Sequence, residues 1–325
     1  MKRFSNILLV ADAGMDRSVA LKNAVRLAKS NHATLTVVSV VEDVFGEPTS
    51  LGSSSEFREI ALKEERQKLD DVIKSIAKAD IAIASKLLIG KPFIEIIRQV
   101  LRFGHDLVIK SADEDQSLRD FMFCSTDMHL LRKCPCPVWI NQSSEKPHYQ
   151  RVLAALGHDA EEVVTDDLNR QILEMSTSLA LSEFSELHIV HAWRLSCESF
   201  MRSPRTGISD TEVDAMVART AAECRCWLED IVTIYSGRAD KDAIDYLKPQ
   251  LHVIKGTAAH IVPTIARELD VDLVIMGTVG RTGIPGFFIG NTAESILAQL
   301  DCSVLAIKPA GFVSPITAEA EQPAV

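Results

Sequence analysis

No run of eighteen apolar residues occurs in the 325 residues, so no membrane-spanning helix is expected. The first residues, Met1-Lys2-Arg3-Phe4-Ser5-Asn6, lead straight into an apolar strand, which leaves no room for a secretory leader. An excess of positive charge is also lacking. Lys and Arg number 35 against 45 Asp and Glu, a net charge of −10, and that balance repels nucleic acid and anionic membrane surfaces. Neither is expected as a partner. The seven cysteines have neither the even count nor the spacing of a disulfide framework, and C-x-x-C is absent. Cys134-Pro135-Cys136 and Cys224-Arg225-Cys226 are C-x-C pairs, read as small buried apolar side chains of a reduced, cytoplasmic protein. Enzyme signatures are missing as well: G-x-x-x-x-G-K-[ST], G-x-S-x-G and H-E-x-x-H do not occur. No catalytic residue is expected, and no metal site. His188 and His191 lie three apart on a strand, face opposite sides of the sheet, and cannot share an ion.

What is present is one unit written twice. Apolar content of 46% and charged content of 25% are ordinary for globular chains, and 325 residues suffice for two domains. Short apolar runs at 7–11, 35–41, 85–89, 107–109 and 138–140 predict five strands, with helices over 17–30, 56–77 and 93–103. In the second helix Ile60, Leu62, Leu69, Val72, Ile73 and Ile76 form the predicted buried side. After a polar linker at 141–148, strands recur at 152–156, 187–193, 251–255, 273–276 and 304–307, and Ser209-x-x-Glu212 reads as a capping box. The later halves of the two units align without a gap at an offset of 166, pairing Gly90 with Gly256, Asp106 with Asp272 and Cys136 with Cys302. Strands alternating with helices imply an α/β fold with parallel sheets covered on both faces. The expected domains are 1–141 and 150–310, followed by a disordered tail at 311–325.

The most informative stretch runs from 271 to 307. Leu273-Val274-Ile275-Met276 precedes a loop holding Gly277, Gly280, Gly283, Gly286 and Gly290, and a helix is predicted to begin near Gly290-Asn291-Thr292. Glycines let the backbone approach a ligand, and N–H groups at a helix start suit a phosphate.

The spacing G-x2-G-x9-G, with Asp272 before the strand, Ala293-Glu294 after the loop and Cys302-Ser303-Val304 leading into the last strand, resembles the universal stress protein family. The resemblance covers 4–141 and 150–309. It implies two tandem flavodoxin-like (Rossmann-like) five-stranded parallel sheets, each ordered 3-2-1-4-5, whose fifth strands pair to form an internal pseudo-dimer. It further implies a regulatory or protective role in stress survival and binding of ATP or a related adenine nucleotide with Mg²⁺, with at most weak hydrolysis. Carried onto this chain, the nucleotide-binding residues are Gly277, Gly280, Arg281, Gly290, Asn291 and Thr292. Asn291 departs from the Ser or Thr usual in ATP-binding members, with Thr292 one place later. The family's carboxylate after strand one, at the base end of the nucleotide, is Asp12 in the first unit; the second has Gly157 there and Asp159 two residues on.

Laying the units on one another sets Ser111 against Gly277, Glu114 against Gly280 and Cys124 against Gly290. Asp113, Glu114 and Asp115 give the first loop acidic side chains that repel phosphate. The first unit therefore reads as a degenerate copy, with phosphate expected only in the second. The alternative is a non-catalytic scaffold for another small ligand, apolar ones included, in a crevice or between the domains.

Overall fold

The computed structural model describes residues 4–11, 19–42, 54–112, 126–142, 148–158, 163–238, 241–278 and 290–319. In chain order the first repeat supplies β1 (Asn6–Val10), α1 (Val19–Asn31), β2 (Thr34–Val41), α2 (Ser54–Ile76), β3 (Ile83–Ile89), α3 (Pro92–Phe103), β4 (Leu107–Ser111), α4 (Thr126–Lys133) and β5 (Val138–Asn141). The second supplies β6 (Arg151–Leu156), α5 (Val163–Glu183), β7 (Glu186–Trp193), α6 (Glu198–Met201), α7 (Asp210–Arg238), α8 (Lys241–Leu247), β8 (Gln250–Lys255), α9 (Ala258–Glu268), β9 (Leu273–Gly277), α10 (Asn291–Leu297) and β10 (Ser303–Ile307).

Parallel pairing of β1 with β2 and β4, of β2 with β3, and of β4 with β5 gives the N-terminal unit the expected order 3-2-1-4-5. In the C-terminal unit β6 pairs in parallel with β7 and β9, and β7 with β8, which repeats that order over four strands. Ile7, Leu8 and Leu9 of β1, and Val152, Leu153 and Ala154 of β6, are wholly buried. Covered on both faces, such strands read as continuous apolar runs rather than alternating ones.

The residues that repeat at the 166 offset do the same work in both units. Asp106 accepts from Ser5 N at 2.7 Å and Asn6 N at 3.1 Å, while Asp272 accepts from Gln150 N at 2.6 Å and Arg151 N at 3.0 Å. Each carboxylate thus fixes the entry of its unit's first strand. Gly90 at φ 139° and Gly256 at φ 157° end the third strands in a conformation side chains disfavour. Their N–H groups donate to the carbonyls of Val41 and Trp193 at 3.0 and 2.8 Å.

By packing, the described residues between 2 and 147 form one compact unit together with those from 303 onward, and 148–278 form the other with 290–302. Strand β10, expected as the last strand of the second domain, therefore packs with the N-terminal unit. It runs antiparallel to β5, with Val304 opposite Ile140, Leu305 opposite Trp139 and Ala306 opposite Val138. This is the expected pairing of fifth strands. Every residue of both strands is buried, and pairing removes an edge of strongly β-forming residues.

Three readings are corrected. Ile60 is 55% exposed, whereas Leu69, Val72 and Ile76 are buried and Leu62 and Ile73 partly so. Nine residues, two and a half turns, separate Ile60 from Leu69, so it projects from the opposite side of α2. Helix α4 has no counterpart in the sequence reading, because eight residues give too little periodicity. The tail expected to be disordered from 311 follows a defined course as far as Glu319, and Arg102 Nε donates to the Ala318 carbonyl at 2.7 Å.

The capping box is formed. Glu212 N donates to Ser209 Oγ at 3.3 Å, and Ser209 N donates back to Glu212 Oε2 at 2.9 Å. Ser209→Ala is expected to lower the melting temperature by about 2 °C, measured calorimetrically, because α7 loses one satisfied N–H. An unchanged melting point would show that the start of α7 carries no stability.

Candidate nucleotide site

Strand β9 ends at Gly277, and Thr278 after it is fully buried. The far end of the loop returns to the same point, where Gly290 N donates to the Thr278 carbonyl at 2.9 Å. Gly290 is the N-cap of α10, its carbonyl accepts from Glu294 N at 3.0 Å, and among the described residues no side chain caps the helix. Ala293 and Ile296 anchor α10 inward, while Asn291 and Thr292 in its first turn are exposed.

The two described glycines of the loop have different physical reasons. A Cβ on Gly277 would stand 2.6 Å from Leu168 Cδ2, so the Leu168 side chain, packed from α5 over the end of β9, would have to move to admit one. Gly290 has φ −61° and ψ 139°, which any residue adopts, and among the described residues its Cβ would meet only the Thr278 carbonyl at 3.9 Å. Among the described residues neither backbone nor packing explains its missing side chain. Gly280, Arg281, Gly283 and Gly286 lie outside the described residues, as do Asp12 and Asp159.

Gly157, where the carboxylate would stand, is held at both ends by one side chain. Its N–H donates to Asn169 Oδ1 at 3.2 Å, and Asn169 Nδ2 donates to its carbonyl at 2.6 Å. Beside it lies a ring cluster that the sequence reading missed. Trp227 of α7 lies 4.6 Å from His158 and 4.8 Å from His191, centroid to centroid. His191 is buried and its Nδ1 is 3.2 Å from the Leu156 carbonyl, to which it donates. Burial, with a smaller push from His158, lowers its pKa against the raising effect of that bond. His188 turns to the opposite face, where its Nδ1 is 3.0 Å from His252 Nε2. Among the described residues no three His, Cys, Asp or Glu side chains gather as a metal site.

The N-terminal unit has a cavity of about 360 Å³ at the corresponding strand ends, bordered by Ala11, Ser39, Glu65, Lys68, Lys110 and Thr126. Three of its charged side chains, Glu65, Lys68 and Lys110, are already engaged. Glu65 accepts from Ser39 Oγ at 2.7 Å and pairs with Lys68 at 3.0 Å, and the buried Lys110 ammonium is 3.2 Å from Asp127. The second repeat has Met276 at the position of Lys110, so this charge belongs to the first repeat alone.

The duplicated parallel sheets, with helices between their strands, define a tandem α/β protein. The model of the universal stress protein family matches residues 3–141 and 148–308, and the chain belongs to that family. It is 30% identical to universal stress protein E of Escherichia coli K12, over 99% of both chains. A universal stress protein E homolog of Haemophilus influenzae is 29% identical, over 94% of this chain and 98% of the relative. Among solved structures, a Pseudomonas aeruginosa PAO1 protein described as functionally unknown superposes with a TM-score of 0.66 at 24% identity, covering 94% and 93% of the two chains. A universal stress protein from Archaeoglobus fulgidus does so with a TM-score of 0.63 at 16% identity, covering 94% and 97%. At those identities the structures establish the fold alone. Family membership supports a stress-related role, and no helix among the described residues is long and apolar enough to cross a membrane.

Proposed function

We propose that the second domain, residues 150–310, binds ATP or a related adenine nucleotide, and that the protein acts in the cytoplasm as a regulatory or protective factor in stress survival. The observation that carries this reading is Gly290, a glycine that neither its φ of −61° nor its described neighbours require. A missing Cβ at the mouth of a glycine-rich loop leaves the backbone open to close approach by phosphate. Gly280 and Arg281 of the loop, with Asn291 and Thr292 at the start of α10, supply the remaining donors. Mg²⁺ arrives on the phosphate oxygens of the nucleotide, which suits a site with no carboxylate cage. Asp159 is proposed at the base end. No general base stands among these residues, so turnover is slow or absent.

Native mass spectrometry of the purified protein for a co-purified ligand, followed by calorimetric titration with Mg–ATP, tests this. One nucleotide per chain is the expected result. Absence of binding at millimolar ATP in ligand-free protein would end the nucleotide reading and leave a scaffold for another small ligand.

A further inference from the structure

In a chain of net charge −10, one surface of the N-terminal unit runs the other way. Phe93, buried in the first turn of α3, is its centre. The His129 ring stacks on Phe93 at 4.1 Å with an interplanar angle of 24°. Lys133 Nζ lies 4.7 Å from the centre of the Phe93 ring, and Lys91 Nζ lies 5.5 Å from it. Arg132 precedes Lys133 in the last turn of α4. Three residues able to carry positive charge, Lys91, His129 and Lys133, thus converge on one aromatic ring. An aromatic face attracts each cation singly but does not neutralise several.

The carboxylates of these two helices are engaged elsewhere. Glu95 of α3 pairs with Arg98 at 2.6 Å, and Asp127 of α4 lies 3.2 Å from Lys110. The electrostatics agree with the geometry. Burial first, then Lys133, Arg132 and Lys91, push the His129 pKa down, and burial first, then Arg132 and Lys91, push down that of Lys133. Among the described residues no carboxylate contributes an opposing pull on either. His129 Nδ1 is also buried and makes no hydrogen bond among the described residues. Like charges held together raise the free energy of the folded unit, and an anion placed among them recovers it.

We propose that Lys91, His129, Arg132 and Lys133 form a binding site for a phosphate-class oxyanion on the α3–α4 face. Ammonium groups such as those of Lys91 and Lys133 act as point-charge donors to phosphate and sulfate oxygens. Two charges on one compact anion match three or four converging cations better than a single carboxylate does. A nucleic-acid strand is disfavoured by the overall negative charge. This site lies in the N-terminal unit and does not depend on the nucleotide reading of the C-terminal one.

Linkage supplies the test. An anion that binds the cationic cluster must raise the His129 pKa by the same free energy with which protonation of His129 tightens the anion. The pKa of assigned His129 is measured by NMR in the full-length protein, in chloride and in sulfate at matched ionic strength. Sulfate is the first probe because its charge is constant across the titration. An upward shift of roughly half a unit to one unit in sulfate is expected, and one unit corresponds to about a tenfold change in affinity. The shift should vanish in the Lys91→Met, Lys133→Met double variant, whose fold is checked by circular dichroism. Inorganic phosphate and a sugar phosphate are then compared: equal affinity assigns the free anion, and tighter binding of the ester a phosphorylated metabolite. Superimposable His129 titrations in chloride and sulfate would overturn the site, as would a sulfate shift that persists in the folded double variant.

Discussion

Gly290→Asp is expected to leave the C-terminal unit folded while weakening ATP binding about a hundredfold. The backbone at Gly290, φ −61° and ψ 139°, accepts any side chain, and a new Cβ there has the Thr278 carbonyl at 3.9 Å as its nearest described neighbour. Asp is among the preferred N-caps and exceeds Gly there by only about 0.3 kcal/mol, so α10 is not destabilised. The same carboxylate would stand where phosphate is proposed to sit. Two unit charges about 4 Å apart repel by about 1 kcal/mol in water and about 4 kcal/mol near a protein surface, and a hundredfold loss falls between these limits. Gly290→Ala adds bulk without charge and should weaken binding less. Gly280→Glu, which installs the residue the first repeat has at Glu114, should abolish binding for the same electrostatic reason. Gly277→Ala separates packing from binding, since its Cβ would lie 2.6 Å from Leu168 Cδ2. That variant is expected to lose about 1–3 kcal/mol of stability through overpacking. Calorimetric ATP titration beside thermal melts reads all four variants. Wild-type affinity in Gly290→Asp would remove the phosphate from this loop.

The legible parts of this fold are those where one local signal has one structural use. Buried parallel strands announce themselves as unbroken apolar runs, and Asp106 and Asp272 were found as an aligned pair because both brace the start of a first strand. The β5–β10 pairing followed from two apolar strands that each needed a partner. Trp227 and His158 are separated by 69 positions, and nothing local to a long mixed helix signals a ring contact with the end of β6. The fixed tail was likewise invisible, since a single Arg102 bond to the Ala318 carbonyl leaves no trace in composition. In the candidate site the glycine spacing was legible, but the reasons for the glycines were not. Only the Leu168 side chain separates Gly277, a packed position, from Gly290, an open position.

Lys308→Met is expected to raise stability at neutral pH and to flatten its dependence on pH above neutrality. Lys308 follows β10 and is 5% exposed, with its ammonium donating to the carbonyls of Leu131 and Arg132 at the end of α4. Burial pushes its pKa down to about 7, against a weaker upward pull from Cys134. The sign follows from proton counting. Between about pH 7 and the unfolded value near 10.4, the unfolded chain holds a proton that the folded chain has released, so stability rises with pH. It falls again as pH drops toward 7, where burying the charge costs most. The full linkage over that window is on the order of 4 kcal/mol. Met keeps the apolar stem of the side chain but gives up the two carbonyl bonds and the contact with the Phe312 ring, at 4.9 Å, which together offset about 2 kcal/mol. A net gain of about 2 kcal/mol is therefore expected at pH 7, shrinking and then reversing toward pH 10. Urea unfolding of both proteins at pH 7, 8, 9 and 10 measures the difference directly and cancels the titration of every other group common to them. A variant less stable than the wild type by the same amount at every pH would show that the α4 carbonyls hold Lys308 charged throughout, and that its burial carries no pH dependence.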